Sequence, residues 1–214
     1  MRGHSSTRKA YFNEAAKDWD ERYCIPELVA RLEKLVPKFV LKPRQSVLDV
    51  GTGTGVLIPF LLKIIGPSGS ITAIDYAEKM VKLCRSKYSH LKNVTIELQD
   101  VKELNQPSES FDAVTCFGLF PHLENKEKAL YHMHRVLKSG GKLIIAHALS
   151  SDEIKAHPSS ESPAVACDVL PEKAEMRRLL KSVGFAEICI KDELGCYLCL
   201  STKTRRNKVH SFDS

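Results

Sequence analysis

The sequence predicts an α/β protein built on a mostly parallel sheet with helices on both faces. Three observations lead there. From about Ser46 onward, short β-branched runs alternate with amphipathic stretches, as parallel strands joined by crossover helices do. A glycine-rich turn, "GTGTG", directly follows the first such run. The last two runs, "FAEICIK" and "CYLCLST", are separated only by "DELG", so they pair as an antiparallel hairpin and leave one reversed strand near the edge.

In order, "SVLDV" reads as the first strand and "GVLIPFLLKII" as the helix after it, ended by Gly66 and Pro67. "SITAID" is the second strand, followed by the helix "AEKMVKLCRSKYSH" with Met80, Leu83 and Cys84 on its apolar side. "VTIELQD" and "FDAVTCFG" are the third and fourth. "NKEKALYHMHRVLKSGG" is a helix with Ala129, Met133, Val136 and Leu137 on one face, stopped by paired glycines, and "KLIIAHAL" is the fifth strand. His132 and His134 in that helix read as outward-facing. A last helix begins near Pro171 and runs to Gly184. Two regions stand outside the alternation. Residues 1–40 read as a helical lid, one short and one longer helix, and about 149–170 as a cap inserted into a 41–203 body; 204–214 reads as a basic tail.

At 214 residues and 43% hydrophobic, the chain can bury one substantial core. Its net charge of +6 is partly concentrated in the tail, with no other long basic stripe, which disfavours nucleic acid as partner. Seven cysteines, an odd number scattered in apolar contexts, favour free thiols in a reducing, cytoplasmic setting. The longest apolar run is interrupted by Lys63 and is too short to span a bilayer.

In such a sheet, ligands bind beyond the carboxyl ends of the strands. Gly51, Gly53 and Gly55 leave that edge at the first strand, where the chain must turn sharply and start a helix. The spacing departs from G-x-G-x-x-G, with Val56 where its third glycine would stand, and no G-K-[ST] follows; a nicotinamide or P-loop reading is disfavoured. Asp49, Asp75 and Asp100 come at the ends of three successive strands. Asp75 suits the two hydroxyls of a ribose, Asp100 with the Val101 backbone an adenine edge, and Asp49 a positively charged amine. Together they suit a ligand with a ribose, an amino group and a sulfonium, and would repel a pyrophosphate.

On "VLDVGTGTG", "ITAIDYAEKM", "LQDVKEL", "FDAVTCFGLFPHL" and "VLKSGGKLIIAHA" the sequence resembles the class I S-adenosylmethionine-dependent methyltransferases, closest in style to the ubiquinone and menaquinone biosynthesis branch. The resemblance implies a Rossmann-like, seven-stranded sheet of order 3-2-1-4-5-7-6 with the seventh strand antiparallel. It also implies S-adenosylmethionine as cofactor, with Gly51, Gly53 and Gly55 along its methionine part, Asp75 at the ribose and Tyr76 against the adenine. Asp100 and Val101 would take the adenine edge, Cys116 and Phe117 the methionine end, and Phe12 to Tyr23 the lid; Thr52 and Met80 complete the cofactor set. Gln99 stands where many relatives have glycine.

The implied activity is methyl transfer to a small-molecule acceptor through oxygen, carbon or sulfur; a non-catalytic cofactor-binding protein is the alternative from another class. "CFGL" after the fourth strand lacks an N-P-P-Y-like tetrad, which disfavours an exocyclic amine. His122, just beyond that strand, and His147, inside "LIIAHAL", are the candidate catalytic residues facing the acceptor. His122, His147, His157 and Asp168 could instead meet around a divalent metal. Cys24, Cys116 and Cys167 could converge on a soft metalloid acceptor. Cys196 and Cys199 point to opposite faces of one strand and read as packing residues. Trp19 is either a lid aromatic or an anchor for the N-terminal helix.

Overall fold

The computed structural model describes residues 3–156, 165 and 168–204. Seven strands form one sheet: β1 (Ser46–Val50), β2 (Ser70–Asp75), β3 (Val94–Leu98), β4 (Phe111–Phe117), β5 (Leu137–His147), β6 (Phe185–Glu193) and β7 (Cys196–Lys203). Their order is β3-β2-β1-β4-β5-β7-β6, with β7 antiparallel to both neighbours and the other pairs parallel, as expected.

The pleat divides the core. Leu48 and Val50 of β1, Val114 and Cys116 of β4, and Leu143 and Ile145 of β5 face α6 (Lys126–Val136) and α8 (Lys173–Val183). Val47, Ala113 and Ile144 face the other way, toward α3 (Pro26–Leu35), α4 (Ile58–Ile65) and α5 (Glu78–Tyr88). Cys196 and Cys199 fall on opposite faces of β7.

Local signals explain several ends. Asn125 caps α6 by accepting from the Lys128 N–H at 2.8 Å. Pro26 opens α3, and Gly184, at φ +106°, closes α8. Within the first 40 residues, Leu32, Leu35, Val36 and Phe39 are fully buried against the sheet, so α3 is part of the body's core. The N-terminal segment ahead of it forms α1 (Gly3–Ala15) and α2 (Trp19–Tyr23), which lie over α5 through Phe12, Ala16 and Trp19 against Ala77 and Met80.

Two sequence expectations are corrected. The helix over 125–141 stops at Val136, and "LKSGG" belongs to β5: Leu137 pairs with Phe111 before a register shift in the ladder. The paired glycines make that irregular crossing, since a Cβ on Gly141 would stand 2.8 Å from the Lys138 carbonyl oxygen. His134 is half-buried, its ring edge-on to Phe185 at 5.0 Å, rather than outward-facing.

Gly55, at φ +91°, lets the glycine turn pass under α5, where a Cβ would meet Tyr88 at 2.6 Å and Cys84 Sγ at 2.9 Å. Gly118, at φ +67°, has nothing within 4 Å of that position. Gly55→Ala is therefore expected to cost about 2–4 kcal/mol, from overpacking plus backbone strain, and Gly118→Ala about 1–2 kcal/mol from strain alone. Urea unfolding of the two variants measures the difference; equal losses would remove the packing role of Gly55.

Candidate active site

Parallel pairing brings Asp49, Asp75 and Asp100 to one rim. Asp49 lies one residue before the end of β1, Asp75 ends β2, and Asp100 follows β3, on three adjacent strands. The turn after β1 is tied to β2, with the Gly51 and Thr52 N–H groups both donating to the Ile74 carbonyl at 2.9 Å. Asp75 then fastens it from beneath: its Oδ2 accepts from the Gly53 N–H at 3.0 Å and its Oδ1 from the Ala77 N–H at 2.9 Å. Burial pushes the Asp75 carboxyl up to about 6 despite these backbone donors, and the Asp49 charge adds to the rise.

Asp49 is more severely placed. Thr115, opposite it in β4, donates to its Oδ1 at 2.7 Å, but among the described residues Oδ2 is buried without a hydrogen-bond partner. Burial pushes this carboxyl up against the bond from Thr115 and a weaker pull from Thr52. A buried polar atom left without a partner is costly in the free chain. Asp100 caps the short 3₁₀ turn Val101–Glu103, accepting from the Lys102 N–H at 2.9 Å, with Lys102 Nζ at 3.4 Å.

A cleft opens along this rim. Its floor is Val50, Gly51 and Ile74; Asp75, Tyr76, Gln99, Asp100 and Val101 form one wall. Leu119, His122 and Leu123, from the 3₁₀ turn Phe120–His122 and its flanks, form the other, and Arg8 of α1 closes over it. Gly51 is small for a reason: at φ +69°, a Cβ there would lie 2.6 Å from the Leu119 side chain. Gln99 is held to Glu97 at 2.7 Å and accepts from the Asn105 N–H at 3.1 Å, so it lines the wall without filling the cleft.

Of the sequence-predicted cofactor residues, Gly51, Asp75, Tyr76, Asp100 and Val101 line this cleft. Asp49, Thr52, Gly53, Gly55, Met80, Cys116 and Phe117 do not. The N-terminal helices explain two of these: the Trp19 indole nitrogen stands 3.9 Å from where a Gly53 Cβ would be, and Met80 packs under Phe12 and Trp19; Asp20 ties the same turn down by accepting from Thr54 at 2.5 Å and pairing with Lys87. Trp19 thus anchors the N-terminal helices against α5 and stands beside the glycine turn. Cys116 is fully buried facing α6 and α8, where burial pushes its thiol far up, and Phe117 packs on the opposite face of the sheet. Leu119, two residues beyond, takes the wall position.

His122 lines the cleft, and its Nδ1 is 2.8 Å from Asp168 Oδ2. His147 lies deeper, at the end of β5 opposite Tyr197, with ring centroids 6.3 Å apart. Burial drives its pKa down to about 3, and among the described residues its Nε2 and the Tyr197 hydroxyl are buried without partners. The proposed metal set is not assembled: among the described residues no three His, Cys, Asp or Glu side chains gather as ligands, and His157 lies outside them. Asp168 is instead held by Arg8, which donates from Nε at 3.3 Å and from Nη2. Nor do thiols converge. Cys24 donates to Asp20 at 3.3 Å, Cys116 faces away, and Cys167 lies outside the described residues. Arg8, Lys102, Leu119, Leu123 and Glu124 were not singled out in the sequence; "FGLFPHL" carried a signal for the two leucines, and Arg8 had none.

Comparison with known proteins agrees with this geometry. Over 109 residues the chain is 38% identical to the ubiquinone/menaquinone biosynthesis C-methyltransferase UbiE of Psychromonas ingrahamii, covering 49% of this chain and 43% of that relative. The match therefore spans less than half the relative's length. A SAM-dependent methyltransferase from Aquifex aeolicus superposes with TM-score 0.70 at 27% identity, covering 90% of this chain and 98% of the other. The [4+2]-cyclase SpnF shares the fold at TM-score 0.65 and 19% identity, covering 82% of this chain and 81% of that one. Among the described residues no helix is long and apolar enough to cross a membrane. With the family described as a methyltransferase domain matching residues 41–194, on a sheet of this order and with this acidic rim, the chain belongs to the class I S-adenosylmethionine-dependent methyltransferases.

Proposed function

We propose that this protein transfers a methyl group from S-adenosylmethionine to a small-molecule acceptor enclosed beneath α1 and α2. The observation that carries the reading is the rim itself: Asp75 and Asp100 line the cleft at adjacent strand ends, Asp49 is buried beside them near the end of β1, and Gly51 leaves room on the floor next to Leu119. Asp75 would hold the ribose, Tyr76, Asp100 and Val101 the adenine, and Asp49, with its unpartnered buried oxygen, the cationic end. When bound, the cofactor supplies an electrophilic methyl group on a positively charged sulfur.

The chain's own residues do the rest by holding and drying the reactants, because charge is lost as the methyl moves. Phe12 packs edge-on to both Tyr76, at 6.2 Å, and His122, at 5.4 Å, and so keeps water from the junction between the two cleft walls. His122 and the neutral His147 are the polar groups that would face the acceptor. The likeness to ubiquinone and menaquinone C-methyltransferases supports that branch and an acceptor of aromatic, quinol-like type. The division of labour would be an N-terminal lid over residues 1–40, a body over 41–203 and a cap inserted at about 149–170, which contains α7 (Ser151–Ala156), with the packing of α1 and α2 over α5 supporting the lid. Free thiols among the described cysteines support a reducing, cytoplasmic setting.

Titration calorimetry with S-adenosylhomocysteine tests the cofactor assignment. Asp75→Ala should weaken binding by roughly 1–3 kcal/mol, the scale of lost hydrogen bonds to a charged group; unchanged affinity would take Asp75 out of the ribose role.

The raised Asp75 carboxyl also fixes a pH dependence. Above about 6 it is ionised and accepts from hydroxyls; as pH falls through that value it takes up a proton and loses acceptor capacity. Affinity for S-adenosylhomocysteine should therefore drop about tenfold from near pH 7.5 to near pH 5, while Asp75's own contribution to the stability of the free chain rises in that window. In Asp75→Asn the Asp75-dependent part of the slope should vanish, and an unaltered slope would assign it elsewhere.

A further inference from the structure

Three donors converge on one carboxylate at the edge of the cleft. Asp168 accepts from Arg8 Nη2 at Oδ1, from Arg8 Nε at Oδ2, and faces His122 Nδ1 at 2.8 Å, also through Oδ2. Its side chain is only 5% exposed, so these contacts are made away from bulk water. Burial alone would push the Asp168 carboxyl up, but the bonds from His122 and Arg8 outweigh it and hold the acid below its ordinary range. An ionised carboxylate only accepts hydrogen bonds, so the imidazole must carry its proton on Nδ1. In the neutral ring the lone pair is then on Nε2. The ring plane is set by Phe12, edge-on at 5.4 Å.

We propose, resting on the methyltransferase reading above, that Asp168 is a positioning residue that fixes His122 as the base for an acceptor arriving as a phenol-like hydroxyl or a thiol, and that docking of α1 through Arg8 completes the assembly. The acceptor's O–H or S–H bond breaks with its electron pair left on the acceptor and its proton passed to His122 Nε2. That pair, or the ring carbon it activates in a phenol, forms the new bond to the methyl carbon as the carbon–sulfur bond breaks with its electrons going to sulfur. On the carbon route the ring carbon then gives up its own proton and the oxygen takes one back, restoring the hydroxyl, so that one proton leaves in all. The imidazolium, paired with Asp168, releases its proton to solvent when the lid opens.

The other charged and titratable groups around His122 are Arg8 from α1, Glu124 and Lys126 after its own turn, Tyr76, Asp100 and Lys102 from the opposite wall, and His147 from β5. His147 is neutral at working pH and so does not oppose a positive charge on His122.

The test uses the full chain in two measurements. Long-range proton–nitrogen NMR of histidine-labelled protein, with and without S-adenosylhomocysteine, should show His122 as the Nδ1–H tautomer, changing in Asp168→Asn; an Nε2–H tautomer in the wild type overturns the proposal. Methyl transfer is then followed with dithiothreitol, thiophenol and catechol as probes. His122→Asn keeps a donor toward Asp168 but has no base, so turnover should fall about 100-fold or more and recover as pH rises toward the probe's own pKa, with affinity for S-adenosylhomocysteine within about threefold of the wild type. Asp168→Glu should retain more turnover than Asp168→Asn. Wild-type turnover in His122→Asn, a loss with no recovery at high pH, or a wild type that binds S-adenosylhomocysteine yet methylates none of the probes would each sink the proposal. A wild type that does not bind S-adenosylhomocysteine overturns the methyltransferase reading instead and leaves the tautomer result standing.

Discussion

The buried carboxylate of Asp75 is the joint on which the site is built. One oxygen takes the N–H of Gly53 in the turn after β1, and the other takes the N–H of Ala77 just before α5, so a single side chain at the end of β2 sets two backbone segments at once. An acid this deep is costly unless paired, and here its partners are neutral N–H groups with no cation among them, which is why its pKa stays raised. The neighbouring Asp49 has less compensation, with one hydroxyl donor and one oxygen unpartnered. Burial thus pushes both acids toward their neutral forms, and a ligand carrying a positive sulfur or ammonium would favour the ionised ones.

The N-terminal helices are held to the rest of the chain through contacts of different strength. Lys9 to Glu78 and Lys79 to Glu14 are exposed pairs, worth little in water. The apolar seat is also small, with Phe12, Ala16 and Trp19 on Ala77 and Met80. The Arg8–Asp168 pair is the exception, bidentate and shielded. Such a helix can lift without unfolding the body, because α3 behind it is anchored separately by Leu32, Leu35, Val36 and Phe39. Lifting would uncover Gly53 and the part of the glycine turn now beneath Trp19.

What was legible in the sequence follows from how local each signal is. The strands of the parallel sheet announce themselves by β-branched runs, and their order brought the three acids together as the pattern implied. The junction of α6 and β5 was misread because paired glycines look like a helix stop, whereas Gly140 and Gly141 here serve a bulge inside a strand whose partner, Phe111, is remote in sequence. Cys116 and Phe117 were placed at the cleft by motif position, but strand alternation sends them into the two opposite cores. Arg8 could not be found at all. Its partners Asp168 and Glu124 lie far along the chain, and no periodicity encodes a contact between a lid and a cap.

The shared fold of a [4+2]-cyclase shows that sheet order alone does not fix the reaction, so the chemistry must be argued from the side chains around the cleft. Those side chains speak against the divalent cation suggested by His122, His147 and Asp168. Both oxygens of Asp168 are already engaged by a guanidinium, and a metal would have to displace Arg8 and leave its charge in the same shielded place. His122 Nδ1 is committed to the same carboxylate, and His147 lies deeper, one strand away in the β5–β7 pairing. The arrangement instead gives the imidazole a direction: Nδ1 toward Asp168, Nε2 away from it, and a neutral histidine deeper in. A carboxylate saturated by cationic and N–H donors is a poor metal ligand and a good anchor for a base.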